Sequence, residues 1–147
     1  MNDAHESPAS LEAVVEELLL ATGQLLRRLR AESNPAALTL SQRAAMGHLS
    51  RTGWLTTADL ARAESVKPQS MGVTLAALER EGMVTRRPHP TDGRQVLFGL
   101  TERGRETRQR NRLLKLQWLQ AKLEMLEPSE REALHAAAAL IKRLGES

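Results

Sequence analysis

The sequence predicts a mainly α-helical chain carrying one small β-hairpin, and three observations predict it. Apolar residues recur at helical spacing through most of the 147 residues. One segment breaks that rhythm: Val84–Pro88 and 95–100 read as two strands around the turn signal Asp92-Gly93, with Pro88 and Pro90 lengthening the loop. Capping and breaking signals punctuate the rest, at Ser10, Asn34-Pro35, Thr39, Gly53, Pro68, Gly82 and Pro128.

In chain order, residues 1–9 are polar and aperiodic, which predicts a loose tail. Ser10 can cap a first helix whose stripe is Leu11, Val14, Val15, Leu18, Leu19, Leu25, Leu26 and Leu29. Arg27, Arg28 and Arg30 suit its C-terminal dipole, and Asn34-Pro35 ends it. Thr39 and Gln42 have capping-box spacing and open a second helix that runs to Thr52 and stops at Gly53. Thr56 and Asp59 repeat the spacing and open a short third helix carrying Leu60 and Ala61. After the turn 63–66, Pro68 occupies the first position of a fourth helix, where its missing N–H costs nothing. Met71, Leu75 and Leu78 form that helix's buried stripe. The hairpin follows. Thr101-Glu102 then caps a long helix stopped at Glu127-Pro128-Ser129, and a last helix covers about residues 129–144. Helix-turn-helix plus hairpin makes a winged helix-turn-helix over residues 35–100. Residues 10–34 and 101–145 flank it with more apolar face than so small a module can cover, which predicts helices that dimerise.

Composition excludes several classes of function. There is no cysteine, so disulfides, thiolate zinc sites and thiol redox sensing are out. His5, His48, His89 and His135 fall on different elements without metal-ligand spacing, so no metal and no cofactor are expected. Gly99 to Gly104 lacks the lysine and hydroxyl of a phosphate loop, and no nucleophile elbow occurs; an enzyme is not expected. No apolar run reaches membrane-spanning length and no secretory signal opens the chain, so a cytoplasmic protein is expected. The net charge of +3 is mild, but arginine crowds the stretch from Arg86 to Arg112 against only Asp92, Glu102 and Glu106.

The fourth helix is unusual in its outward side. Gln69, Ser70, Val73, Ala76 and Ala77, with Thr74 on the flank, make a face that is small and uncharged. Surface helices ordinarily carry charge there, so a bare face beside Arg86, Arg87, His89 and Arg94 fits close approach to DNA. Gln69 can bond an adenine edge, Ser70 and Thr74 can serve bases or phosphates, and Val73 suits thymine methyls. Lys67 and Pro68 place a helix N-terminus where a phosphate can sit. These choices favour an A·T-leaning site over a guanine-reading one.

From Leu38 to Gly104 the sequence resembles the MarR (multiple antibiotic resistance regulator) family of winged-helix transcription factors. The resemblance is carried by Leu38-Thr39 with Gln42, Leu55-Thr56 with Asp59-Leu60-Ala61, 66–71, 78–84, Asp92-Gly93-Arg94, and 100–104. It implies a homodimeric regulator, commonly a repressor, on a palindromic operator, often released by a small phenolic or aromatic ligand. It further implies that Arg94 enters the minor groove and that Asp92 orients its guanidinium, a role suited to a narrow, strongly negative groove. Arg86 and Arg87 are expected at phosphates or as partners of Asp92, one of them structural. An effector would lie in the cleft of such a dimer, with Leu18, Thr22, Arg28, Met46, His48, Trp54 and Arg112 as candidates. Trp54 reads as a core or hinge plug in preference to a stacking platform. The alternative reading is a winged helix used for protein contact, with the bare helix face docking on a partner.

Overall fold

The computed structural model describes residues 9–146, so the expected tail lies outside the described residues except for Ala9. The elements are α1 (Leu11–Glu32), α2 (Leu40–Thr52), β1 (Leu55–Thr56), α3 (Thr57–Ala63), α4 (Pro68–Arg80), β2 (Val84–Pro88), β3 (Val96–Leu100), α5 (Glu102–Glu124) and α6 (Pro128–Gly145). They divide into two compact units: residues 33–116, and residues up to Glu32 together with those from Gln117 onward.

The 33–116 unit is assembled from well-capped short helices. Asn34 braces the entry loop, its Nδ2 donating to the Leu38 carbonyl at 2.7 Å and its Oδ1 accepting from the Leu38 N–H at 3.1 Å. At α2 both halves of the capping box form, Gln42 N–H to Thr39 Oγ1 at 3.1 Å and Thr39 N–H to Gln42 Oε1 at 2.8 Å. At α3 only half of the expected box forms. Thr56 Oγ1 accepts from Asp59 N–H, while the Asp59 carboxylate turns to Arg62 at 3.1 Å. Aspartate is one methylene short of the reach that glutamine has. The turn into α4 puts Ser65 at φ +54°, and Val66 N–H closes it on the Ala61 carbonyl at 2.9 Å. Past α4, Gly82 takes φ +73°; its N–H bonds Glu79 and the Met83 N–H bonds Leu78, a Schellman closure that suits a residue without Cβ.

The sheet is antiparallel in the order β1-β3-β2. In the hairpin, Val84 pairs with Leu100 and Pro88 with Val96; Pro88 is tolerated because β2 is an edge strand. Leu55 and Thr56 pair with Phe98 and Leu97, a third strand that the sequence reading did not anticipate, since two residues carry no periodicity. Met46, Leu49, Leu60, Met71, Leu75, Leu78, Met83 and Val84 make the centre of the core, closed by Phe98 and Leu100. Each such side chain contributes about 1.5–3 kcal/mol of burial.

The start of α5 belongs to this unit, which corrects the assignment of all of 101–145 to the flanking helices. Thr101 Oγ1 donates to the Gly82 carbonyl at 2.5 Å and accepts from Gly104 N–H at 3.0 Å. Gly104 is buried, and a Cβ there would collide with the Met83 carbonyl oxygen. A glycine is what allows α5 to begin against the end of α4.

In the other unit, neither α1 nor α6 has a buried residue. Leu11, Leu19 and Leu144 are 81%, 69% and 64% exposed.

Candidate nucleic-acid interface

Helix α4 presents the face that its sequence implied. Lys67, Pro68, Gln69, Ser70 and Val73 are exposed, Val73 at 69%, and Thr74, Ala76 and Ala77 are half-buried. The stripe Met71, Leu75 and Leu78 is sealed in the core, so the helix is held by one side and open on the other. No side chain caps its N-terminus, which leaves the first N–H groups of the helix facing outward beside Lys67. Thr74 Oγ1 donates to the Ser70 carbonyl at 3.3 Å.

The arginines of the wing divide by role. Arg86 is committed to Glu79 on the last turns of α4 by two parallel bonds, Nε to Oε2 at 2.8 Å and Nη2 to Oε1 at 2.7 Å. It also lies over the Phe98 ring, 5.3 Å from its centroid. The hydrogen bond from Arg86 holds the Glu79 carboxyl below its ordinary value, against a smaller opposing effect of desolvation. This fork ties the wing to α4. Arg87 stacks on Trp54 at 4.1 Å. The indole in turn lies against Gly99, where a Cβ would come within 3 Å of the ring. Trp54 is therefore a stacking platform for an arginine. Arg87 lies too far along the chain for any local pattern to announce this contact.

Among the described residues, Arg86 and Arg87 meet partners other than Asp92, and Asp92 meets Arg94 through the backbone. Asp92 Oδ1 accepts from the backbone N–H of Arg94 at 3.1 Å, and Oδ2 from Gln95 Nε2 at 3.3 Å. The carboxylate closes its own turn, as aspartate does when a donor two residues on is nearer than any side chain. His89 Nδ1 accepts the N–H groups of Thr91 and Asp92 at 3.2 and 3.1 Å, so its ring proton sits on Nε2. The tip is thus shaped by His89 and Asp92. The Arg94 side chain has no ion pair among the described residues and is exposed.

Of the expected effector residues, Leu18, Thr22 and Arg28 lie on α1 and Met46, His48, Trp54 and Arg112 in the 33–116 unit. Met46 is fully buried in the core and has no surface to offer a ligand. His48 Nε2 meets Glu64 Oε1 at 2.5 Å, joining α2 to the turn before α4. Arg112 is exposed on α5, and Trp54 lines a hollow of about 230 Å³ with Leu49, Gly53, Gly99 and Arg105. On α1, Thr22 donates to the Leu18 carbonyl at 2.6 Å and Arg28 pairs with Glu32 at 2.9 Å. A larger cleft of about 520 Å³, lined by Met83, Arg103, Thr107, Arg110 and Asn111 among others, went unread in the sequence.

Comparison with known proteins agrees with this geometry. Residues 38–96 match the model of the MarR family. The chain is 39% identical over 131 residues to an HTH-type transcriptional regulator of Mycobacterium bovis, covering 89% of this chain and 92% of that protein. An HTH-type transcriptional repressor of Mycobacterium tuberculosis is 38% identical over 95 residues, covering 64% of this chain and 68% of its own. Among solved structures, a transcriptional regulator of Pseudomonas aeruginosa superposes with a TM-score of 0.83 at 30% identity, over 95% of this chain and 99% of that one.

Proposed function

Because the chain belongs to the MarR family of helix-turn-helix transcriptional regulators, we propose that it acts as a homodimeric repressor on a palindromic, A·T-leaning operator. The observation that carries this reading is the exposed, uncharged face of α4 together with an exposed Arg94 that has no ion pair among the described residues. A helix so bare can enter a major groove without opposing charge, and a free guanidinium suits the narrow minor groove beside it. Lys67 and the open N-terminus of α4 would hold a phosphate. Arg87 remains a phosphate candidate, whereas Arg86 serves by fixing the wing. Dimerisation is supported by the apolar faces of α1 and α6, and the repressor role by the name of the Mycobacterium tuberculosis relative. Release by a small aromatic or phenolic ligand completes the proposal, as does action in the cytoplasm, where the operator lies.

The test is selection of bound fragments from genomic DNA with the purified chain, followed by titration of the winning duplex. The expected half-sites are rich in A·T and spaced by one or two helical turns, at roughly 34–36 Å per turn. Affinity should fall steeply as salt rises, through release of counterions. G·C-dominated half-sites would remove the Val73 argument, and indifference to duplex sequence would leave the protein-contact reading in its place.

A further inference from the structure

Trp54 stands at the entry to β1, and the sheet carries it across the base of the wing. Leu55 pairs with Phe98 and Thr56 with Leu97, so one step back along β1 brings Trp54 to Gly99 on the central strand β3. On the far edge, β2 sets Thr85 opposite Gly99 and Arg87 opposite Leu97. Alternation along β2 turns Arg87 to the face opposite that of Val84, which is buried in the core. The indole therefore crosses bare backbone at Gly99 and ends beneath the Arg87 guanidinium, whose Cζ stands 4.1 Å from the ring centroid. A Cβ on Gly99 would come within 2.6 Å of the indole Cδ2, so a glycine is what gives the ring its place. The two adjacent arginines of β2 are used differently. Arg86 spends Nε and Nη2 on Glu79. Arg87 is held by its flat face, which leaves the N–H groups around the guanidinium edge directed away from the ring. Among the described residues Arg87 has no ion pair, and it is exposed.

We propose that Trp54 is a positioning residue for operator binding: its indole holds the Arg87 guanidinium ready to bond a DNA phosphate beside the groove that Arg94 enters. The inference rests on the operator reading and deepens it. A long cationic side chain gives up rotamer freedom when it grips a phosphate, and one already laid on a ring gives up less. The ring takes the face of the cation while the phosphate oxygens take its edge, so the two contacts do not compete. Arg87 is the penultimate residue of β2, on the wing whose tip carries Arg94. Trp54 reaches it from the opposite edge of the sheet.

The experiment titrates the selected duplex with the full chain and its variants across a series of salt concentrations, with a melting curve for each protein. Arg87→Gln should lower affinity roughly tenfold, and the slope of log affinity against log salt should shrink by about 0.9 for each copy of the chain bound. Trp54→Leu keeps an apolar side chain over Gly99 but offers no ring, and should lose about threefold or more with a shallower slope. Added to Arg87→Gln it should cost little further, because the indole acts through the arginine. Gly99→Ala alters neither partner but crowds the indole, and should reproduce the loss. Trp54→Phe keeps a ring and should recover part of it, which leaves the test readable even where Trp54→Leu folds poorly. Additive losses overturn the proposal, as do losses that track melting temperature while the salt slope stays at the parent value; either would leave the indole a structural role alone. Arg87→Gln with the affinity and slope of the parent also overturns it, and the operator reading then stands on the sequence preference of the parent. A parent indifferent to duplex sequence overturns both.

Discussion

Residues 33–116 and the flanking helices α1 and α6 draw on the same residue types and reach opposite states. In the first unit Met46, Leu60, Leu75 and Leu78 are removed from water; in α1 and α6 nothing is. Amphipathic spacing makes an apolar face, but only a facing element buries it. In 33–116 the facing elements come from the same chain, across turns shaped by Ser65 and Gly82. For the flanking helices a second copy is the natural source. Full burial of each exposed leucine would contribute about 1.5–3 kcal/mol, so several per copy offset an association cost of about 4–15 kcal/mol.

The contrast can be broken most severely at α1. If the proposed dimer forms through α1, Leu19→Glu combined with Leu26→Glu should split it and lower affinity for the proposed operator by about 100-fold or more through lost avidity. Sedimentation and duplex titration would read this, and the 33–116 core should still melt cooperatively. A variant that stays dimeric would place the interface elsewhere. The reverse experiment strikes the core: Gly104→Ala forces a Cβ against the Met83 carbonyl oxygen and should cost about 3 kcal/mol of stability, as overpacking does. Urea unfolding measures that loss, and an unchanged midpoint would show that α5 can shift without penalty.

Smaller effects separate reading from folding. Arg94→Ala should weaken operator binding by about 1–3 kcal/mol with no change in melting temperature, because the side chain has no ion pair among the described residues. Gly82→Ala should do the opposite, lowering stability by about 1 kcal/mol through the strained positive φ while changing little that touches DNA. The smallest effect belongs to Glu79. Its carboxyl is held low by Arg86, so the pair supports the fold above the ordinary carboxylate range and is lost as pH falls through the depressed value. Glu79→Gln should flatten that acid limb in a pH series of melting curves; an unaltered limb would mean that the fork does not hold the wing.

Much of the fold was legible because its signals are local. Thr39 and Gln42 sit within one turn of each other, Pro68 announces a helix start, and Asp92-Gly93 marks the tip of the wing; each interaction spans only a few residues. The open face of α4 was legible for the same reason, since helical geometry alone decides which side Val73 and Met71 take. The candidate site was less so. Arg86 and Arg87 were open between phosphate, Asp92 and a structural role because the turn after α4, which brings Glu79 to Arg86, leaves no periodic signal, and the Arg87 partner of Trp54 lies beyond any local window. The bond from Asp92 to the Arg94 backbone N–H is a turn contact that only the folded hairpin displays.

Sequence by itself determined the helices, most of their caps, the hairpin and the uncharged outer face of α4, since these follow from spacing and from interactions within a turn or two. Tertiary structure alone decided that Leu55-Thr56 completes the sheet, that α5 begins inside the winged unit, and which arginine meets Glu79 and which meets Trp54. The physical reason is that a charged side chain carries no record of its partner. Until the chain closes loops of tens of residues, every acid and every ring is an equal candidate, and the packing of the core is what brings one of them within reach.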